Sequence, residues 1–231
     1  MRINQYLAKV GLGSRRKVET LVLEGRVAVE GRKITKLSER VEASSTVTLD
    51  GKKLSHPSTR RYFAVNKPVG YTSTVSDPHA KKTVMDLAGD RRGLFPVGRL
   101  DKNSRGLMLL TDDGDFALRI THPRYGWEKE YLVTTTLPKE KASEKIERAM
   151  RFFKCGMRLG ESKTLPAEIS LIGVESGKAR FKIVLKEGRK RQIRRMFEGA
   201  GMEVVDLVRT RIGQYEIGDL KPGELSAIKY P

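Results

Sequence analysis

The segment Lys178–Arg195 constrains the fold more than any other part of the chain. From Ala179 to Leu185 every second residue is apolar, which is the period of a half-buried β-strand. Gly188 then interrupts the pattern, and from 193 to 200 the apolar residues recur at helical spacing. A strand, a break and an amphipathic helix within 23 residues exclude an all-helical bundle and an all-β sandwich.

Other segments repeat this mixture of short strands and short helices. A helix is predicted for 142–153, where Ile146, Met150 and Phe153 share one face. Four further segments are rich in β-branched or aromatic residues and are predicted as strands: Tyr62–Val65, Lys129–Thr136, Ile169–Ile172 and Val204–Val208. Because the strands and helices interleave irregularly, we predict an α+β or a mixed α/β fold.

The first 56 residues form a separate pattern. Ile3, Leu7 and Val10 lie on one helical face, and a second helix begins after Ser14, a favourable N-cap residue. A hairpin follows between Val27 and Ile34, and the apolar residues Val41, Val47 and Leu49 indicate further strand. The polar segment from 55 to 61 lacks periodicity. We therefore predict a small domain over 1–56, a mobile linker over 57–61 and a larger domain over 62–231.

The charge balance points to a polyanionic partner. The chain has 46 basic and 28 acidic residues, for a net charge of +18, and its isoelectric point is about 10.1. Solubility alone requires a net charge of only about 2–8. Nucleic acid or the ribosome is the expected partner. A membrane surface fits less well, since no basic helix has an aromatic opposite face.

The cysteine and histidine content argues against several other classes. Cys155 is the single cysteine, and the three histidines are scattered without a metal-ligand spacing. We therefore expect no intramolecular disulfide and no zinc site. No apolar run is long enough to cross a membrane, and the N-terminus lacks a secretory pattern. A soluble protein of the reducing cytoplasm is expected.

Two segments contain residues that are candidates for ligand binding or catalysis. Lys178–Arg195 holds nine basic residues and one acidic residue, and they crowd the break at Gly188. This pattern indicates a phosphate contact at a helix start, although a solvated charged face is the alternative. Asp101 follows Gly98-Arg99-Leu100, and composition alone favours a turn or cap for it. Asp112-Asp113-Gly114 similarly predicts a turn before a helix.

A resemblance to a known family changes the interpretation of Asp101. The segments that carry it, in chain order, are GLGSRRKVETLVLEGRVAVEGR in the first 56 residues, FAVNKPVG (Phe63–Gly70), FPVGRLDKNSRGLMLLTDDGDFALRITHP (Phe95–Pro123), KEYLV (Lys129–Val133) and KEGRKRQIRRMF (Lys186–Phe197). Together they resemble the pseudouridine synthases that modify single uridines in ribosomal RNA and begin with an S4 RNA-binding domain. The resemblance extends over nearly the whole chain.

The resemblance implies a fold and a reaction. The fold would be an S4-like (α-L) domain followed by a catalytic domain with a mixed, mostly antiparallel sheet, flanking helices and a central cleft. The reaction breaks the N1–C1′ bond of a uridine and rejoins the base through C5, without metal or organic cofactor. Asp101 matches the catalytic aspartate, and attack on C1′, attack on C6 and removal of a sugar proton are all open to its carboxylate.

Two more residues are implied in the catalytic pocket. Arg194 matches the basic residue that pairs with the aspartate, so we expect an Asp101–Arg194 ion pair, with Arg191 as the second choice of partner. The alternative for Arg194 is a phosphate contact. Tyr131 matches the pocket tyrosine, whose ring would stack on the extruded uracil; a core tyrosine is the alternative.

The remaining predicted contacts are with the RNA backbone. They are Lys9, Arg15, Arg16 and Lys17 in the S4-like unit, and Lys67, Arg99, Arg189, Lys190 and Arg191 in the larger domain. For Arg99 a structural salt bridge is an equal alternative, and Lys67 has the same status. Such contacts set the register of bound RNA more than the identity of the base.

Three interpretations of the chain compete. The favoured one is a monomeric enzyme that isomerises a uridine of ribosomal RNA, acting on the RNA or on a pre-ribosomal particle. The segment Asp219–Glu224 slightly favours a large-subunit target. A non-catalytic S4-type RNA-binding or ribosome-assembly factor would share the basic helices, but it does not predict Asp101, Tyr131 and Arg194 together. A DNA-binding regulator fits poorly, because no dimerisation element is present.

Overall fold

A computed structural model describes residues 1–42, 44–55, 59–89, 91 and 93–230. His56, at the end of the predicted small domain, and residues 57 and 58 of the predicted linker lie outside the described residues. Within the described ranges, no helix is both long and apolar enough to cross a membrane.

The N-terminal unit consists of two helices packed on a small sheet. Helix α1 is Ile3–Lys9 and α2 is Arg15–Leu23. The Ser14 side chain caps α2 by accepting a hydrogen bond from the Lys17 N–H at 3.2 Å. The strands are β1 (Val27–Val29), β2 (Arg32–Ile34), β3 (Val47–Leu49) and β4 (Lys52–Lys53), antiparallel in the order β2-β1-β3-β4. The apolar residues of both helices and of this sheet form one closed core.

One prediction for this unit is wrong. Val41 was expected in a strand, but it lies outside the strands of the described residues. It is buried in the N-terminal core, and its N–H donates to the carbonyl of Met1 at 2.8 Å. Its apolar character therefore serves packing against the chain start rather than sheet pairing.

The larger unit contains a mixed sheet to which nine strands of the described chain belong. They are β5 (Tyr62–Lys67), β6 (Phe95–Val97), β7 (Arg105–Thr111), β8 (Lys129–Thr136), β11 (Glu168–Glu175), β12 (Lys178–Leu185), β13 (Val204–Ile212), β14 (Tyr215–Glu216) and β15 (Leu225–Ala227). The main order is β11-β12-β8-β13-β7-β5-β15, with β14 paired to β13 and β6 paired to β7. A separate hairpin joins β9 (Arg158–Leu159) to β10 (Ser162–Lys163).

The sheet has two halves that meet at its one described parallel pairing, β13 beside β7. Only two residue pairs form the parallel ladder, Val208 with Arg105 and Arg209 with Gly106. Gly106 has a φ of 109°. A Cβ atom there would lie 2.3 Å from the carbonyl oxygen of Arg209. Only glycine permits this close approach of the two strands.

Three helices cover the sheet. They are α3 (Gly114–Thr121), α4 (Ala142–Cys155) and α5 (Gln192–Gly199). Residues of α4 and α5 share one core cluster with Met108 and Leu110 of β7, while α3 shares another with Leu107 and Leu109. Strand β7 is therefore buried on both faces. The predicted turn before α3 is confirmed, with Asp113 as N-cap accepting from two backbone N–H groups. The predicted α+β class with a mixed, mostly antiparallel sheet is also confirmed.

The two units touch beside the start of α3. Lys9 on α1 forms an ion pair with Asp115 at 2.6 Å. The Arg60 side chain donates to the Lys9 carbonyl at 3.1 Å, and the Arg61 backbone and side chain both bond to Asp112. These contacts hold the chain against the larger unit directly before β5.

Candidate active site

A cleft of about 630 Å³ opens over the junction between the two halves of the sheet. Its lining includes seven of the residues predicted from sequence: Arg99, Asp101, Tyr131, Arg189, Lys190, Arg191 and Arg194. These residues lie up to 95 positions apart in the chain. The fold thus brings three separate sequence motifs to one place.

Asp101 lies in the loop between β6 and β7, and a buried serine holds that loop in position. The Ser73 hydroxyl donates to the Leu100 carbonyl at 2.6 Å and accepts from the Leu100 N–H at 3.0 Å. The Asp101 carbonyl accepts from the Ser104 N–H at 3.0 Å, which closes a turn. The Asp101 carboxylate is half-buried, and within the described ranges it has no hydrogen bond or ion pair. It is therefore free to act on a ligand.

The predicted ion pair between Asp101 and Arg194 is absent from the described residues. Arg194 instead donates to the carbonyls of Val204 at 2.9 Å and Asn103 at 2.8 Å. The Asn103 carbonyl lies in the turn directly after Asp101, and the Val204 carbonyl lies at the start of β13. The guanidinium group bonds to these backbone carbonyls and not to the Asp101 carboxylate. Burial and the nearby Arg191 lower the pKa of Arg194, while the negative charge of Asp101 opposes that shift. Arg194 therefore ties α5 to the Asp101 loop.

Tyr131 lies on β8 with its side chain at the cleft. The residue is 7 % exposed. Its position on β8 is directly opposite Ile183 of β12 and Arg209 of β13. No described residue forms a hydrogen bond with its hydroxyl group, which leaves that group available to a ligand.

The structure corrects the prediction for Lys67, which was expected to contact RNA. Its side chain is 0 % exposed, and its ammonium group donates to the carbonyls of Pro68 and Tyr71, each at 2.9 Å. A buried ammonium group cannot reach a phosphate of the RNA backbone. Burial and the neighbouring Arg209 lower the pKa of Lys67 to about 8, although Asp101 opposes this shift.

The rim of the cleft carries exposed cations. Arg99, Lys190 and Arg191 are exposed at the cleft, and their contact with RNA phosphates stays a prediction. Arg189 differs, because its guanidinium bonds to Glu187 at 3.0 Å and to Ser162 and Lys163 of the β9–β10 hairpin. Its contact with RNA stays a prediction. Arg189 joins the loop between β12 and α5 to the β9–β10 hairpin.

In the N-terminal unit, the predicted basic cluster is only partly free. Arg15, Arg16 and Lys17 form the exposed first turn of α2. Lys9 is engaged with Asp115 of the larger unit, so its ammonium group stabilises the contact between the units. An exposed ion pair of this type contributes about 0–1 kcal/mol.

Three further cations in the cleft were missed from the sequence. Lys102, Lys129 and Arg209 line it. The Lys129 ammonium group donates to the Trp127 carbonyl at 3.1 Å, and burial together with Arg209 lowers the pKa of Lys129 to about 8. Lys129 lies two residues before Tyr131, so strand alternation puts both on one face of the sheet. That spacing could have identified Lys129.

Comparison with known proteins identifies this arrangement. A family model described as RNA pseudouridylate synthase matches residues 61–199, and an S4-domain model matches residues 1–47. The chain belongs to the RNA pseudouridylate synthase family. It is 35% identical over 227 residues to "Ribosomal large subunit pseudouridine synthase B" of Bacillus subtilis, covering 96% of this chain and 90% of the relative.

Further relatives agree with this assignment. A Yersinia pestis protein, also named "Ribosomal large subunit pseudouridine synthase B", is 36% identical over 94% of this chain and 68% of its own length. An uncharacterized RNA pseudouridine synthase of Mycobacterium leprae is 38% identical over 99% of this chain and 89% of its own length. A crystal structure of a pseudouridylate synthase superposes with a TM-score of 0.67 at 26% identity, covering 99% of this chain and 96% of that one. The enzyme is accordingly an isomerase of uridine in RNA.

Within the described ranges, no three His, Cys, Asp or Glu side chains cluster so as to hold a metal ion.

Proposed function

We propose that this enzyme converts a specific uridine of large-subunit ribosomal RNA into pseudouridine, with Asp101 as the catalytic carboxylate. The observation that carries the proposal is the unpaired Asp101 carboxylate in the same cleft as Tyr131. The names of the Bacillus subtilis and Yersinia pestis relatives support the large ribosomal subunit as the target. The net charge of +18 supports a nucleic-acid substrate.

The target nucleotide must leave its stack before Asp101 can reach it. Unstacking costs a few kcal/mol, and less for a nucleotide in a loop. Exposed cations on the rim, Arg99, Lys190 and Arg191, offset this cost by contacting flanking phosphates. Arg15, Arg16 and Lys17 of the S4 domain then hold an adjacent RNA stem and set the register.

The isomerisation conserves every atom of the uridine. The N1–C1′ bond breaks and its electron pair moves into the base; the base turns, C5 bonds to C1′, C5 loses a proton and N1 gains one. Asp101 can take part as nucleophile or base only while ionised.

Arg194 and Tyr131 prepare the site in different ways. Arg194 acts as a positioning residue, since its bonds to Asn103 and Val204 hold the Asp101 loop against β13. The Tyr131 ring stacks on the uracil, and its free hydroxyl takes part in proton movement.

We further propose that the enzyme acts as a monomer in the cytoplasm. One chain supplies every predicted group of the cleft. Light scattering of the purified protein with size-exclusion chromatography tests the monomer; a stable dimer at micromolar concentration contradicts it.

The test is a pseudouridine map of ribosomal RNA. Total ribosomal RNA from a strain lacking the gene is incubated with the purified enzyme, and pseudouridines are located by carbodiimide treatment and primer extension. Wild type is expected to restore one large-subunit position. Asp101→Asn is expected to bind RNA yet restore nothing, and Tyr131→Phe to bind normally with most turnover lost.

Asp219→Asn is the matched control, since it makes the same change at an exposed carboxylate outside the cleft. It is expected to match wild type. Full activity of Asp101→Asn contradicts the catalytic assignment, and a restored position in the small subunit contradicts the proposed target.

A further inference from the structure

Arg209 carries a buried charge whose hydrogen-bonding capacity the protein does not fill. The residue is 3 % exposed. Its Nε donates to the Leu107 carbonyl at 2.8 Å, but its Nη2 atom is buried without a hydrogen-bond partner. No carboxylate among the described residues forms an ion pair with it. A buried donor left unsatisfied on a charged group is costly, so a native chain retains one where a ligand completes it.

The surroundings of Arg209 are cationic. Lys67 and Lys129 lie close enough for the charge of Arg209 to disfavour their protonated forms. The negative charge of Asp101 has the opposite effect on Lys67, because it favours the protonated form. Positive charge therefore predominates around Arg209 and attracts a hydrogen-bond acceptor from a ligand.

The position of Arg209 indicates which part of the substrate would supply that acceptor. Arg209 is directly opposite Tyr131 on neighbouring antiparallel strands, and such pairs have Cβ atoms about 5 Å apart. The two side chains therefore leave the sheet on the same face, and both residues line the cleft. The exposed cations Lys190 and Arg191 lie instead at the rim, where the ribose-phosphate chain remains.

We propose that Arg209 is a base-reading residue whose Nη2 donates a hydrogen bond to a carbonyl oxygen of the extruded uracil. This inference rests on the proposed function of the cleft. Uracil and cytosine both have a carbonyl at C2, but at C4 uracil has a carbonyl and cytosine an amino group, so a fixed donor that faces C4 separates the two bases.

The same contact contributes to the reaction. When the N1–C1′ bond breaks, the electron pair that moves into the base increases the negative charge on its carbonyl oxygens. A fixed guanidinium donor at one of them is then worth more in the transition state than in the ground state. The pair is returned when C5 bonds to C1′ and C5 loses its proton.

Atom-specific uridine analogues test the contact. Synthetic RNA substrates carry uridine, 2-thiouridine or 4-thiouridine at the target position, and single-turnover rates are measured. Sulfur is a much weaker acceptor than oxygen, so one of the two thio substitutions is expected to slow wild type about 10–100-fold, as for loss of a hydrogen bond to a charged group.

Arg209→Met is expected to slow the uridine substrate by a similar factor and to show no further loss with that same thio substrate. Arg209→Lys keeps the positive charge but loses the planar guanidinium group and its paired N–H donors. Its rate with the uridine substrate is expected to lie between those of Arg209→Met and wild type. Arg211→Met is the matched control. Arg211 bonds to Glu128 and Glu130, not to residues of the cleft, because a strand irregularity separates its register from that of Arg209. The Arg211→Met variant is expected to be slowed by the thio substitution as much as wild type is.

Two results would overturn the inference. Wild-type rates that are unchanged by either thio substitution exclude the carbonyl contact, and this arm requires no variant to fold. Alternatively, Arg209→Met could weaken RNA affinity, lower the salt slope by about 1 and leave the thio effect intact, which would assign Arg209 to a phosphate. Failure of the proposed function differs from both, since wild type would then form no pseudouridine.

Discussion

Replacing Gly106 with alanine is expected to force apart the two halves of the catalytic sheet. The added Cβ atom would lie 2.3 Å from the Arg209 carbonyl oxygen and 2.7 Å from its nitrogen. Both atoms belong to backbone, so no flexible side chain can move aside. Strand β13 must shift relative to β7, and with it Arg209 must shift relative to Asp101.

The cost in stability has two sources. The φ of 109° is unfavourable for any residue with a Cβ atom, which costs about 1–2 kcal/mol. Inserting a methyl group into packed structure costs a further 1–3 kcal/mol, roughly. We therefore expect the free energy of unfolding to fall by about 2–5 kcal/mol.

Urea unfolding followed by circular dichroism measures this change, and single-turnover kinetics measures the effect on the cleft. Gly114→Ala is the matched control, because that glycine opens α3 with a negative φ and no atom near its Cβ position. It is expected to lie within about 0.5 kcal/mol of wild type. If Gly106→Ala also stays within that range and keeps the wild-type rate, the close approach of β7 and β13 is not required for the site.

Three further outcomes follow from the structure. Ser73→Ala leaves two buried backbone groups of Leu100 without partners, so stability is expected to fall by about 1–3 kcal/mol and kcat to fall more than KM rises; steady-state kinetics and urea unfolding measure both. Because burial and Arg209 lower the pKa of Lys67 from 10.5 to about 8, the native state releases this proton before the unfolded state does. Stability is therefore expected to rise between pH 8 and 10, and Lys67→Met to reduce that rise; urea midpoints that climb equally in both proteins would contradict this. Neutralising Arg15 and Arg16 together is expected to weaken RNA binding at low salt and to lower the slope of log K against log salt by about 1–2, with kcat unchanged; an unaltered slope in filter-binding titrations would remove these residues from the interface.

The elements with clear periodicity could be predicted from sequence. The predicted helix at 142–153 is observed at Ala142–Cys155, and Lys129–Thr136 is observed as a strand with the same bounds. Amphipathic patterns persist because the side chains that create them also form the core. Val204–Val208 was instead predicted too short, since β13 continues to Ile212.

That short prediction explains why Arg209 was missed. The sequence after Val208 is Arg-Thr-Arg, whose polarity suggests the end of a strand. In the fold, pairing with β8 and β7 on either side overrides this local preference and buries Arg209. No local pattern reports such long-range pairing.

Side-chain partners were predicted less well than side-chain location. The motifs correctly brought Asp101 and Arg194 to one cleft, but the guanidinium bonds to carbonyl oxygens of the backbone. The strand predicted over Tyr62–Val65 likewise extends to Lys67, whose ammonium group turns inward to two backbone carbonyls. The sequence shows which side chains can accept a hydrogen bond. Every residue also has a backbone carbonyl, and only the three-dimensional structure shows which of these carbonyls lies near a given side chain.

The burial of β7 on both faces has an evolutionary consequence. The loop that bears Asp101 leads into this strand, whose amide protons are expected to exchange among the slowest in the protein. The residues proposed to contact the RNA backbone, by contrast, stand on exposed turns and helix ends. Descendants of such a chain can acquire a new target nucleotide through surface substitutions while inheriting the reaction unchanged.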